Sequence, residues 1–124
     1  MNRTVTDGVL RLEGRGSALD IRTELSDRMA VMHLRGSVTA ELESDLADEI
    51  LAFVSVGRSV RLDFSELDYI CATAQMKLMD IQLRYVDRAG VRMEICGVSP
   101  ALYALFRSTR LETQLDIRRK EERA

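Results

Sequence analysis

The sequence predicts one α/β domain with a mixed sheet of four to five strands and three to four helices, joined mainly by β-α crossovers. Three observations predict it. Apolar residues alternate with period two in several short runs. Between those runs lie stretches with the 3.6-residue apolar spacing of amphipathic helices. The order strand, strand, helix, strand, helix, strand, helix then leaves one antiparallel hairpin and a series of parallel β-α-β units. At 124 residues the chain can bury a core without disulfides or a metal.

Residues 1–18 read as an N-terminal extension. Val9 to Leu12 has the makings of a short edge strand, cut closely on both sides by Gly8, Gly14 and Gly16. The main domain is expected over 19–117. Leu19, Ile21, Thr23 and Leu25 alternate with Asp20, Arg22 and Glu24, and after the turn Ser26-Asp27-Arg28 a second strand places Ala30, Met32 and Leu34 opposite Val31 and His33. So short a link makes the pair a hairpin. Gly36 is expected to stop the second strand, leaving Ser37 and Thr39 to offer capping hydroxyls to a first helix. Leu42, Leu46, Ile50 and Phe53 or Val54 give that helix its apolar stripe, and Gly57 ends it.

Val60, Leu62 and Phe64 form the third strand, which leads through residues 65–68 to the junction Tyr69-Ile70-Cys71-Ala72-Thr73-Ala74. A second helix is expected from about Thr73 to Ala89, with Ala74, Leu78, Ile81 and Tyr85 on its inner stripe, supported by Met79 and Val86, and Lys77, Asp80, Arg84, Asp87 and Arg88 facing water. Gly90 closes it. Val91, Met93 and Ile95 mark a fourth strand. Ser99 as N-cap and Pro100 at the first helical position start a third helix carrying Leu102, Leu105 and Phe106 inward to about Thr109. Leu115 and Ile117 suit a last short strand, before a charged tail over 118–124.

Composition narrows the function. Eighteen basic against twenty acidic residues, a net charge of −2, supply no basic footprint for nucleic acid. No apolar run reaches membrane-spanning length, and the N-terminal stretch, broken by charge and glycine, does not read as a signal peptide, so a cytoplasmic protein without membrane insertion is expected. Cys71 and Cys96 form no CxxC pair and read as reduced thiols. His33, the one histidine, has no ligand cluster at metal spacing. Hydrolase signatures, phosphate-cradling glycine loops and paired carboxylates are all absent, so neither catalysis nor a cofactor or metal is expected.

The junction before the second helix is the strongest candidate for recognition, because a helix N-terminus presents free N–H groups and the positive end of the dipole. The run from Val60 to Ser65, the junction Tyr69 to Ala74, the helix ending Arg88-Ala89-Gly90 and the turn Cys96-Gly97-Val98-Ser99-Pro100 together resemble the STAS domain of bacterial anti-sigma factor antagonists, over roughly residues 19–117. The resemblance implies partner switching. In that family an unphosphorylated antagonist docks on an anti-sigma factor, often a serine kinase, and phosphorylation of a serine at the strand-to-helix junction ends the contact.

The chain departs from the family at that switch. Where the family has Asp-Ser-Ser-Gly, this sequence has Cys71-Ala72-Thr73-Ala74, so Ala72 stands at the acceptor position without a hydroxyl. In the earlier loop Gly36-Ser37-Val38-Thr39, Thr39 replaces a family aspartate associated with kinase or nucleotide contact. The resemblance therefore implies docking through Ser37, Thr39, Cys71, Ala72, Thr73, Gln75 and Met76, with no control at the usual serine. Thr73 is the remaining candidate phosphoacceptor, although a threonine in a first helical turn also serves as a plain cap. Cys71 at a helix N-terminus is either a redox sensor or a small buried filler. STAS domains also act as scaffold subunits of signalling assemblies or as accessory subunits of ABC transporters, which gives an alternative to the anti-sigma reading.

Overall fold

The computed structural model describes residues 2–120. Seven strands form one sheet in the order of the chain: β1 (Asn2–Thr6), β2 (Val9–Glu13), β3 (Ala18–Leu25), β4 (Met29–Val38), β5 (Ser59–Ile70), β6 (Met93–Val98) and β7 (Asp116–Arg119). The first four pair antiparallel and the last four parallel. Parallel neighbours need crossovers, supplied by α1 (Glu43–Val54), α2 (Ala72–Ile81) and α3 (Pro100–Ser108). Because every crossover steps the same way, all three helices cover one face of the sheet.

Seven strands exceed the four to five expected, and the excess lies mainly at the N-terminus. Asp7 and Gly8 both adopt positive φ, 52° and 76°, the geometry of a two-residue hairpin turn whose twist matches the flanking strands. Gly8 therefore joins two strands. Leu10 and Leu12 of β2 are buried against the core, and β2 lies between β1 and β3.

Two further boundaries differ from expectation. Gly36 does not end β4: with φ at +115° it sits within the strand, where an added Cβ would strike the Ala18 carbonyl of β3. The β4–β5 register slips on both sides of it, so the strand bends and runs on to Val38. Accordingly α1 starts at Glu43 with Leu42 as N-cap and no side-chain cap. Thr39 contributes its carbonyl to the Leu42 N–H (3.0 Å), and its hydroxyl pairs instead with Ser17 (3.1 Å). β5 likewise continues through residues 65–68, burying Leu67 and Ile70 beyond the irregularity.

The second helix shows a shifted stripe. Ala74, Leu78 and Ile81 are buried as expected, but Tyr85 is exposed and Val86 is buried. Residues Gln82–Val86 form a π-helical turn before a final α-turn at Asp87–Ala89. A wider turn delays the inner face by one residue, so Val86, expected only to support the stripe, fills it and Tyr85 turns outward. Phe64 and Phe106 pack at 6.0 Å between ring centroids in the core shared by β5 and α3.

Candidate functional site

The end of β4 and the start of α2 meet at one edge of the molecule. Register pairs Ser37 with Tyr69 and Val38 with Ile70, and the Cys71 N–H donates to the Val38 carbonyl at 2.9 Å. The loop and the junction, more than thirty residues apart in sequence, are thus one surface. Leaving β5, the chain turns at Cys71, which is extended (φ −70°, ψ 159°) and is the N-cap of α2. No side chain caps this helix and no acidic residue lies in its first turn, so its free N–H groups keep their donor capacity. Thr73 is not the cap. Its hydroxyl lies 3.3 Å from the Cys71 sulfur, which is also 3.9 Å from Glu43.

Of the residues expected to dock a partner, Ala72, Thr73 and Met76 are exposed, and Ser37, Thr39 and Cys71 are half-buried. Gln75 is different. It is 2 % exposed, donates from Nε2 to the Ile70 carbonyl (3.1 Å) and accepts from the Thr109 hydroxyl (2.7 Å). A side chain so enclosed cannot touch a partner; it ties the first turn of α2 to the end of α3. Tyr69, the first residue of the junction but not among those expected to dock, is exposed as well.

The helix-free face of the sheet carries a second constellation. His33 Nδ1 and Asp63 Oδ2 are 2.7 Å apart, with Glu24 at 3.4 Å from the other ring nitrogen. Burial alone would raise the Asp63 pKa, but the Ser65 N–H and the His33 ring outweigh it and hold the carboxyl below its ordinary value. Arg61 is paired with the nearly buried Glu94, which pushes the guanidinium pKa up. Burial and the nearby Asp63 charge raise the Cys96 thiol. Among the described residues no group of three or more His, Cys, Asp or Glu side chains is placed to hold a metal.

The family model described as Mlab, STAS domain matches residues 21–118. The chain belongs to the STAS domain family. The match extends through β3 to β7 and leaves the N-terminal hairpin outside. No curated protein sequence matches the chain significantly. Among solved structures, an anti-sigma factor antagonist from Mycobacterium paratuberculosis is 16% identical with a TM-score of 0.69, over 81% of this chain and 85% of its own. SpoIIAA from Bacillus, in its unphosphorylated form, gives 14% identity and a TM-score of 0.66 over 78% and 86%. A variant of RsbS from Moorella thermoacetica gives 17% and 0.62 over 78% and 84%. At these identities the likeness is one of fold. No described helix of this STAS domain is long and apolar enough to cross a membrane.

Proposed function

We propose that this STAS domain is a non-catalytic docking regulator that binds an anti-sigma factor or serine kinase through the β5–α2 junction and the adjoining end of β4, and that phosphorylation at the usual serine position does not switch it. The observation carrying this reading is Ala72. It lies exposed at the first position of α2, on the same exposed first turn as Thr73 and Met76, and lacks the acceptor hydroxyl. SpoIIAA has been solved in a phosphorylated and an unphosphorylated form. In a protein of that kind a phosphate at a helix N-terminus adds nearly two negative charges to a packed interface. Here the alanine leaves the docking surface permanently in its uncharged state.

The same alanine favours a second reading, a scaffold or accessory subunit of a signalling assembly or an ABC transporter. A fixed adaptor needs no hydroxyl at position 72. Affinity capture of the tagged protein from its native extract separates the two. An anti-sigma factor or serine kinase that is retained by the wild type and lost with Met76→Lys or Thr73→Glu supports the first. A transporter ATPase or other STAS subunits in its place overturns it. Both substitutions add charge at exposed positions, so folding is expected to survive, which circular dichroism checks.

A further inference from the structure

At the far end of the second helix from the β5–α2 junction, α1 and the turns that continue α2 leave an apolar groove of about 430 Å³ between them. Leu51 and Val54 of α1 line one wall, Tyr85 and Ala89 the other, with Arg84 and Arg88 along the second. The π-helical turn makes this surface. In an unbroken α-helix Tyr85 would continue the inner stripe of Ala74, Leu78 and Ile81. The wider turn at Gln82–Val86 buries Val86 instead and leaves the tyrosine 46% exposed. Val56, just past the end of α1, is 73% exposed. Apolar surface gathered in one concavity, rather than scattered singly, marks a contact face.

The two walls carry opposite charge. Asp48 is exposed one turn before Leu51, on the same side of α1. On the second helix Lys77, Arg84 and Arg88 recur at i, i+7 and i+11, so the basic stripe extends the wall that holds Arg84 and Arg88. The acidic residues of that helix are otherwise engaged: Asp80 holds Arg84 at 2.7 Å, and Asp87 accepts from Gln82 at 2.8 Å. Asp48, Lys77 and Arg88 have no ion pair or side-chain hydrogen bond among the described residues. Each wall therefore offers unspent charge of one sign beside an apolar floor.

We propose that this groove is the interface of a homodimer whose two-fold axis runs along it. A two-fold contact uses the same patch on both copies, so the patch must complement itself. An axis along the groove sets α1 of each copy against the second helix of the other. Acidic wall then meets basic wall twice, and Tyr85 of each copy covers Leu51 of the other. An axis across the groove would set α1 on α1 and basic stripe on basic stripe, which like charge disfavours. The charge order thus selects the first arrangement. It keeps the helices of both copies parallel, so the two β5–α2 junctions face the same way and lie clear of the interface. The dimer stands independently of any partner docked there.

Light scattering and sedimentation of the intact protein test this, over a concentration series reaching about 1 mM, at which even a weak dimer is populated. The mass should rise from 14.0 kDa towards twice that value. Tyr85→Glu should abolish the rise. Asp48→Lys, and separately the double variant Lys77→Glu, Arg88→Glu, should each weaken self-association at least about tenfold, because like charges then face one another. An equimolar mixture of those two proteins restores both charge contacts and should pair as tightly as the wild type. Arg22→Glu, on the helix-free face, should leave the dimer within about twofold. Thermal melts establish that each variant is folded. A protein that stays monomeric throughout the series, a dimer that survives Tyr85→Glu or is indifferent to Asp48→Lys, or a mixture that fails to pair each overturn the proposal.

Discussion

Along β5, Leu62, Phe64 and Ile70 are sealed beneath the helices, whereas Arg61 and Asp63, one residue out of phase, pair with polar side chains of neighbouring strands. The two faces share every backbone hydrogen bond of the sheet. What differs is how each excludes error. The covered face is specified by volume, because a buried side chain of the wrong size leaves a void or a clash. The open face is specified by charge order, with Arg11, Asp20, Arg35 and Glu66 alternating in sign across four strands. Such a row discourages pairing with another sheet and holds little energy per contact. The helix side also fixes the start of α2, through the buried Gln75 and its bonds to the Ile70 carbonyl and the Thr109 hydroxyl.

The sharpest test of that contrast is truncation on the covered side. Phe106→Ala removes the ring that packs on Phe64 and is fully buried, so a loss of about 3–5 kcal/mol is expected in urea denaturation. Arg22→Ala, on the open face, should change stability by no more than about 0.5 kcal/mol. Comparable losses from the two would abolish the distinction between the faces.

Legibility in the sequence divided along the same line. The buried stripes of β4, α1 and α3 were written in the alternation and in the helical spacing of Leu42, Leu46 and Ile50, because burial imposes that periodicity directly; in β3 it held for Leu19 and Ile21 but Leu25 is exposed, and in β6 Glu94 is buried between Met93 and Ile95. The family was legible too, from the order of motifs between Val60 and Pro100. Irregular backbone was not. Asp7-Gly8 is a hairpin signal that glycine's reputation as a breaker obscured, and Gly36 marks a close approach to β3 that no local pattern encodes. The π-turn at Gln82–Val86 turned Tyr85 outward and left Val86, expected only in support, as the inner residue. At the site, Ser37, Thr39, Cys71, Ala72, Thr73 and Met76 lie together, but Gln75 looked like a surface residue because its partners, the Ile70 carbonyl and Thr109, come from other segments.

A pH titration sharpens the comparison at intermediate scale, since the covered face has little to protonate. The Asp63 carboxyl is held below its unfolded value of 3.8 by Ser65 and His33, against the opposing effect of burial. A depressed native pKa means that the folded state binds the proton less readily than the unfolded chain. Its contribution is therefore fully present above pH values near 3.8 and is lost as pH falls through the lower native value. Asp63→Asn should reduce the acid dependence of stability below about pH 4, where carboxyls titrate in unfolded chains, and leave the slope between pH 5 and 7 less affected. Urea midpoints collected across both ranges check this. An unchanged acid limb in the variant would mean that the His33 contact contributes nothing to folding.

The smallest expected effect is also the most informative about the open face. Arg11 Nη1 reaches both oxygens of Asp20, at 3.0 and 3.2 Å, in what is geometrically a good cross-strand pair. Both side chains are nonetheless solvated, 48% and 28% exposed, so water competes for each charge and ordering two flexible groups offsets the attraction. A double-mutant cycle with Arg11→Ala and Asp20→Ala should give a coupling of about 0.2–1 kcal/mol at low salt, shrinking as salt is raised. A coupling above about 2 kcal/mol that persists in high salt would be too large for a screened surface pair. It would mean that the charge row helps to fix strand register, a task otherwise left to Leu10, Leu12, Leu19 and Ile21 on the other side of the same strands.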